Sequence, residues 1–226
     1  MIDSLSHSRR RVPKGFTLIE LLTVIAIIAV LASLTVGMAS AAKAARINSR
    51  AQGDLRKLQT AIEAYKADRN AYPPDGLLRA GVRKANPVIS PLYYELRGTE
   101  VVNGAFRVAG AAEALRPDAL EQVFGRRGFL NASIDAAEPA RGYLDVKASE
   151  VKRVRVKGVE VELLVTPFDW PSGTTDPAPP LSDSRANPWR YVSTSPTNNP
   201  GSFDLWAEIY DPKAAKGPKV RLFKNW

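Results

Sequence analysis

Hydrophobic residues fill one stretch of the chain so densely that a single long helix is the only economical reading. From Leu21 to Ala42 there are 22 residues without a charge, and Glu20 is the last acid before them. At 1.5 Å per residue that run covers about 33 Å as a helix, enough to cross a bilayer. No proline occurs between Phe16 and Asn70, so the helix has no obligatory stop at residue 42. Beyond Lys43 the pattern changes character. Leu55, Leu58, Ile62 and Tyr65 recur at helical spacing, while Arg56, Lys57, Glu63, Lys66 and Asp68 fall mainly on other faces. The first half is therefore expected to meet lipid or a neighbouring chain, and the second half, 43–76, to pack on a folded domain. Tyr72-Pro73-Pro74-Asp75-Gly76 ends the helix, because Pro withdraws a backbone donor and Asp-Gly favours a turn.

Shorter periods follow. Ser90-Pro91 predicts a short helix through Leu96 that Gly98 stops, and Pro117 to Phe124 predicts another. Val151 to Thr166 reads as a hairpin, with Val154 and Val156 alternating with Arg153 and Arg155 before a Lys157-Gly158 turn. Pro171 to Pro188 is rich in Pro, Ser, Asp and Thr and reads as an exposed loop. Trp189 to Ser193 and Phe203 to Ile209 read as two strands joined by a Pro/Asn/Gly loop, their aromatics packed inward. The fold class expected is α+β: a long N-terminal helix, half transmembrane and half amphipathic, packed on a small antiparallel sheet.

Composition narrows the chemistry. The chain of 226 residues has no Cys and a single His, His7, so thiol nucleophiles, thiolate metal sites and the usual general base are out of reach. The acids Asp169, Asp176 and Asp183 sit in polar loops, where solvation is the expected fate. Catalysis is not expected. Lys and Arg outnumber Asp and Glu by 32 to 23, a formal charge of +9. Part of that excess sits just ahead of the apolar run, as Arg9, Arg10, Arg11 and Lys14, and basic residues there hold that end in the cytoplasm. A secretory signal cleaved near Ala39-Ser40-Ala41 would have too long an apolar core, and a plain anchor gives no reason for Glu20 at its edge.

Lys14-Gly15-Phe16-Thr17-Leu18-Ile19-Glu20-Leu21-Leu22 closely resembles the processing motif of type IV prepilins and type II secretion pseudopilins. The resemblance implies cleavage after Gly15 by a prepilin peptidase and methylation of the new N-terminal Phe16. It also implies that Glu20 pairs with the Phe16 ammonium of a neighbour as subunits assemble, a pairing that lowers the cost of either charge in apolar surroundings. Asp54 to Lys66 with Tyr72-Pro73-Pro74 is similar to the major pseudopilin of type II secretion. So are Asn187-Pro188-Trp189-Arg190-Tyr191, Asn199-Pro200-Gly201-Ser202-Phe203-Asp204-Leu205-Trp206 and the closing Asn225-Trp226. A pilin-like fold is thus implied. Its parts are a leader (1–15), a transmembrane assembly helix (16–42), an amphipathic helix and turn (43–76), an inserted region (77–180) and a C-terminal hairpin with tail (181–226).

That family's major subunit binds calcium in its C-terminal loop, which carries the role onto Asp211. Pro212 replaces a family glycine there, and the tail Lys216 to Lys224 is basic where calcium wants a negative site. No cofactor is expected, and Asp211 is the one carried-over metal ligand. The partners implied are further copies in a filament, the prepilin peptidase, other pseudopilins, the inner-membrane assembly platform and the membrane itself. Arg153, Arg155 and Lys157 are expected to form a solvated strand face, and nucleic acid is not an expected partner. The expected location is a single-pass inner-membrane protein with its N-terminus in the cytoplasm and its C-terminal domain in the periplasm. Two alternatives stand beside the secretion reading: a type IV or competence pilus subunit, and a membrane-tethered binding module that never polymerises.

Overall fold

The computed structural model describes residues 15–111, 113–135, 137–175, 177–182, 184–212 and 219–226, with side-chain surroundings given for all of these except 34–41 and 43. His7, the basic leader residues, Asp176, Asp183 and Lys216 lie outside the described residues. The chain divides into two compact units, 1–48 and 49–226. One helix, α1 (Leu18–Arg69), begins in the first unit and ends in the second. Within the first unit its large apolar side chains from Leu18 to Leu31 are 45 to 81% exposed.

In the second unit the same helix is buried along one stripe. Leu58 is 4% exposed, and Ile62 and Tyr65 not at all. These are the positions that the helical period marks, and they enter a single apolar core with residues from every later part of the chain. The chain then runs β1 (Gly76–Leu77), β2 (Ala85–Asn86), α2 (Leu92–Arg97), β3 (Thr99–Val102), β4 (Ala105–Val108), α3 (Pro117–Phe124) and β5 (Ala132–Ser133). It closes with β6 (Val151–Val156), β7 (Val159–Leu164), β8 (Arg190–Val192), β9 (Asp204–Tyr210) and β10 (Val220–Lys224).

The class is α+β, but the strands form four small sheets instead of one. Their orders are β1-β2, β4-β3-β5, β6-β7 and β10-β9-β8, and all pairs are antiparallel except β3 with β5. The physical reason is the length of chain between helix and C-terminus. Strands of two to seven residues, broken by Gly and Pro turns, pair only with near neighbours, and among the described residues they do not align into a common sheet. Val220–Lys224 pairs with β9 along its whole length, making a three-stranded sheet. Phe223 packs inward from it, and Trp226 meets Trp206 edge-on at 5.8 Å.

Local signals explain the short elements. Ser90 Oγ accepts the Leu92 N–H at 3.2 Å at the start of α2, and Gly98 ends that helix at φ 76. Pro opens α3, and Gly125 closes it in the left-handed region at φ 69. A Cβ at Gly125 would also lie 2.7 Å from that of Leu77, so the glycine lets α3 end against β1. Lys157 and Gly158, both at positive φ, make the two-residue turn between β6 and β7. After α1, the Pro73 carbonyl accepts the Tyr191 and Ser193 hydroxyls, which ties the end of the helix to β8.

Candidate processing and assembly site

Gly15 and Phe16 precede the helix in non-helical backbone, and Phe16 is 82% exposed. No heavy atom lies within 4 Å of where a Gly15 Cβ would be. Among the described residues nothing therefore crowds the peptide bond between them. The next residues build the helix start. The Thr17 N–H donates to Glu20 Oε2 at 2.9 Å, while the Glu20 N–H donates to Thr17 Oγ1 at 3.3 Å. This reciprocal pair is a capping box, with Thr17 as N-cap and Glu20 as the third helical residue. The Thr17 hydroxyl adds a second bond to Oε2 at 2.7 Å.

Glu20 thus has a role within its own chain that the sequence reading passed over, although Thr-x-x-Glu ahead of an apolar run is the signal for it. Both bonds fall on Oε2; among the described residues Oε1 accepts none. A carboxylate has acceptor capacity on both oxygens, so capping the helix and receiving an ammonium do not compete for one atom. Gly15 and Phe16 lie ahead of the helix and Glu20 in its first turn. Asp211 lies elsewhere, in the second unit.

Asp211 Oδ2 accepts the Arg221 guanidinium at 2.6 Å. Among the described residues no group of three His, Cys, Asp or Glu could hold a metal ion. A calcium ion at Asp211 would have to displace a bonded guanidinium, and the strand that supplies it carries no acid. The other singled-out charges are engaged as surface pairs. Arg153 meets Glu113 at 2.8 Å, Arg155 meets Glu160 at 2.9 Å, and Lys157 donates to the Gln122 carbonyl at 2.8 Å. Asp169 is exposed and pairs with Lys152 at 2.9 Å.

The second unit also holds buried acids that no local pattern announces. Glu95 accepts the Tyr65 hydroxyl and the Leu130 and Asn131 N–H groups, each at 2.9 Å. Burial pushes its carboxyl up, against the pull of those three donors. Asp75 accepts the Ser193 and Thr194 N–H groups and the Thr194 hydroxyl. Asp204 gathers the backbone N–H groups of Thr197, Asn198 and Asn199. Each is occupied by donors that bind loops to the core, so these acids act as structural hubs.

Among the described residues no helix is long and apolar enough to cross a membrane. The family described as "Prokaryotic N-terminal methylation motif" matches residues 10–36. No curated protein matches the chain, and no solved structure does. The motif is the type IV pilin and pseudopilin signal, and it implies a pilin-like or pseudopilin subunit processed by prepilin peptidase and assembling into filaments. Chains that carry it are structural subunits, not enzymes.

Proposed function

We propose that the chain is a pseudopilin subunit of a type II secretion system, cleaved after Gly15, methylated on Phe16 and polymerised into a periplasmic pseudopilus. The observation that carries this reading is the methylation motif at residues 10–36, within which α1 begins at Leu18 and leaves its large apolar side chains exposed. Such a surface has to be covered by lipid before assembly and by other helices after it. The uncharged run Leu21 to Ala42 holds the subunit in the inner membrane, with the leader in the cytoplasm and residues 49–226 outside it. Cleavage creates an ammonium at Phe16, and Glu20 Oε1 receives that of a neighbouring copy while Oε2 keeps its capping bonds. The pairing sets the axial register of one subunit on the next. The major-pseudopilin segments at Asn187–Tyr191 and Asn199–Trp206 favour secretion over a type IV pilus.

The leader to Gly15 takes with it four of the 32 basic residues, one of the 23 acids and the only His. The mature subunit keeps 28 bases against 22 acids and has neither Cys nor His, a composition suited to a scaffold. Mass spectrometry of the chain made with and without prepilin peptidase tests the reading. A mature N-terminus at N-methylated Phe16, present only with the peptidase, is the expected result. A start near Ala42, or an uncut Met1 in both samples, overturns it.

A further inference from the structure

Two tips on the second unit carry opposite charge and an exposed aliphatic group each, and among the described residues neither has an ion-pair partner. The first is the turn between β1 and β2. The Leu78 N–H donates to the Lys84 carbonyl at 3.0 Å and the Val82 N–H to that of Arg79 at 3.2 Å, which fixes a compact finger. Arg79, Arg83 and Lys84 stand exposed on it, with Leu78 beside them. No Asp or Glu occurs from Gly76 to Tyr94. Among the described residues none of these three cationic side chains makes a hydrogen bond or ion pair. That sets the finger apart, since Arg141, Arg153 and Arg155 on the same unit each meet a carboxylate within 2.9 Å.

The second tip follows β5. Ser133 Oγ donates to the Glu138 carbonyl at 2.6 Å and accepts the Asp135 N–H at 3.1 Å, which ties the two ends of the loop together. Ile134 projects from it, 88% exposed, with Asp135 and Glu138 exposed alongside. Among the described residues neither carboxylate has an ion-pair partner. Ile134 and the two carboxylates thus form a small acidic tip with one aliphatic group at its centre.

We infer that the finger Leu78–Lys84 of one copy receives Ile134, Asp135 and Glu138 of the next. This rests on the reading above that subunits polymerise. The charges are complementary, and each tip offers an aliphatic group for the other to cover. The two surfaces are different parts of one chain, so the contact is heterologous and propagates into an open array wherever its rotation does not close a ring. Two loop tips bury too little to hold subunits together alone, so the contact sets orientation while the helices supply affinity. Nucleic acid suits the finger less well. No aromatic residue lies between Gly76 and Leu92 to stack a base.

The absence of Cys makes the test direct, because introduced thiols are the only ones present. The full chain carrying both A80C and A137C is produced with prepilin peptidase in bacterial membranes and oxidised. The expected product is a ladder of disulfide-linked oligomers, with none from either single variant. Adding R79E/R83E/K84E should lower trimers and larger species about tenfold, and adding D135K/E138K to that variant should restore them to within about twofold. Filaments visible by electron microscopy without a ladder would overturn this contact and leave the subunit reading standing. Absence of both filament and ladder sinks both. A ladder that charge reversal does not weaken, or a reversal that the compensating pair does not rescue, also overturns the contact.

Discussion

The two halves of α1 differ in apolar content, 19 of 26 residues over 18–43 against 11 of 26 over 44–69, and meet opposite fates. Ile28 is 57% exposed, while Ile62, on the same helix, is completely buried. What separates them is how much of the helix surface is apolar and whether it is confined to one stripe. Around Ile62 apolar residues fall on one stripe, and Arg56, Lys57, Glu63 and Lys66 occupy the rest, so a single packed face suffices. Around Ile28 the helix is apolar on every side, and no single domain face can cover it. A helix that is hydrophobic all round needs an apolar environment that surrounds it. The difference teaches that the second half of α1 belongs to the stability of this chain, and the first half to what surrounds it.

The same substitution made in both halves should break them apart. Ile62→Ala removes atoms from the centre of the core and should cost about 2–5 kcal/mol, lowering the melting temperature by roughly 5–15 °C. Ile28→Ala should change the melting temperature by no more than about 2 °C while weakening filament assembly. Thermal unfolding of the full chain in detergent, followed by filament yield in cells, reads both effects. Equal loss of stability at the two positions would mean that the apolar half is already packed within the subunit.

The next effect sharpens the boundary at its buried end. Tyr65→Phe keeps the ring and removes the hydroxyl that donates to Glu95, leaving that acid with its two backbone donors. A loss of about 1–3 kcal/mol is expected, because the carboxylate stays buried with one partner fewer. Urea unfolding of the variant measures it. A neutral result would assign the hub to the Leu130 and Asn131 N–H groups alone.

Most of what local chemistry dictates was legible along the chain. The cap at Ser90, Pro117 at a helix start and the Lys157-Gly158 turn each mark an element where the structure has one. The Asn103-Gly104 turn between β3 and β4 was equally visible as a hairpin signal, and so was the Thr17–Glu20 capping box; neither was read. The strand Val220–Lys224 was read only as part of a basic tail; its pairing with β9 and its buried Phe223 depend on a partner strand ten or more residues away. The hub at Glu95 could not be read at all. It meets residues 30 to 36 positions away, and such pairings exist only once the core has formed.

Acid should act on two buried glutamates in opposite senses. Burial raises Glu95, so the folded state holds its proton more tightly than the unfolded chain does. Its contribution is therefore largest at low pH and is lost as pH rises through the folded value. Burial also pushes Glu150 up, but the Lys57 hydrogen bond at 2.6 Å, the Lys147 N–H and the Arg50 charge outweigh it and hold it below the usual carboxylate value. Its contribution is present above the ordinary carboxyl range and is lost as pH falls through the lowered one. Melting curves of wild type, E95Q and E150Q between pH 3 and 8 separate the two (about 4 is the unperturbed value). The advantage of wild type over E95Q should shrink as pH rises, and its advantage over E150Q should grow. Parallel curves for both variants would mean that neither glutamate titrates differently on folding.

The smallest effect expected is at the basic strand face. Arg153 and Glu113 are each about half exposed, at 49% and 54%, and lie 2.8 Å apart. Such a pair gains little in high dielectric and loses side-chain freedom, so Arg153→Ala should cost about 0–1 kcal/mol and less still at 0.5 M salt. The variant is informative because it is the counterpart of the charges on the β1–β2 finger. A cation already matched within the chain has little left to offer a neighbour, so R153A should leave the A80C/A137C ladder unchanged where R79E/R83E/K84E weakens it. A ladder that falls as far for R153A as for the triple reversal would show that the contact does not depend on the cations of the finger.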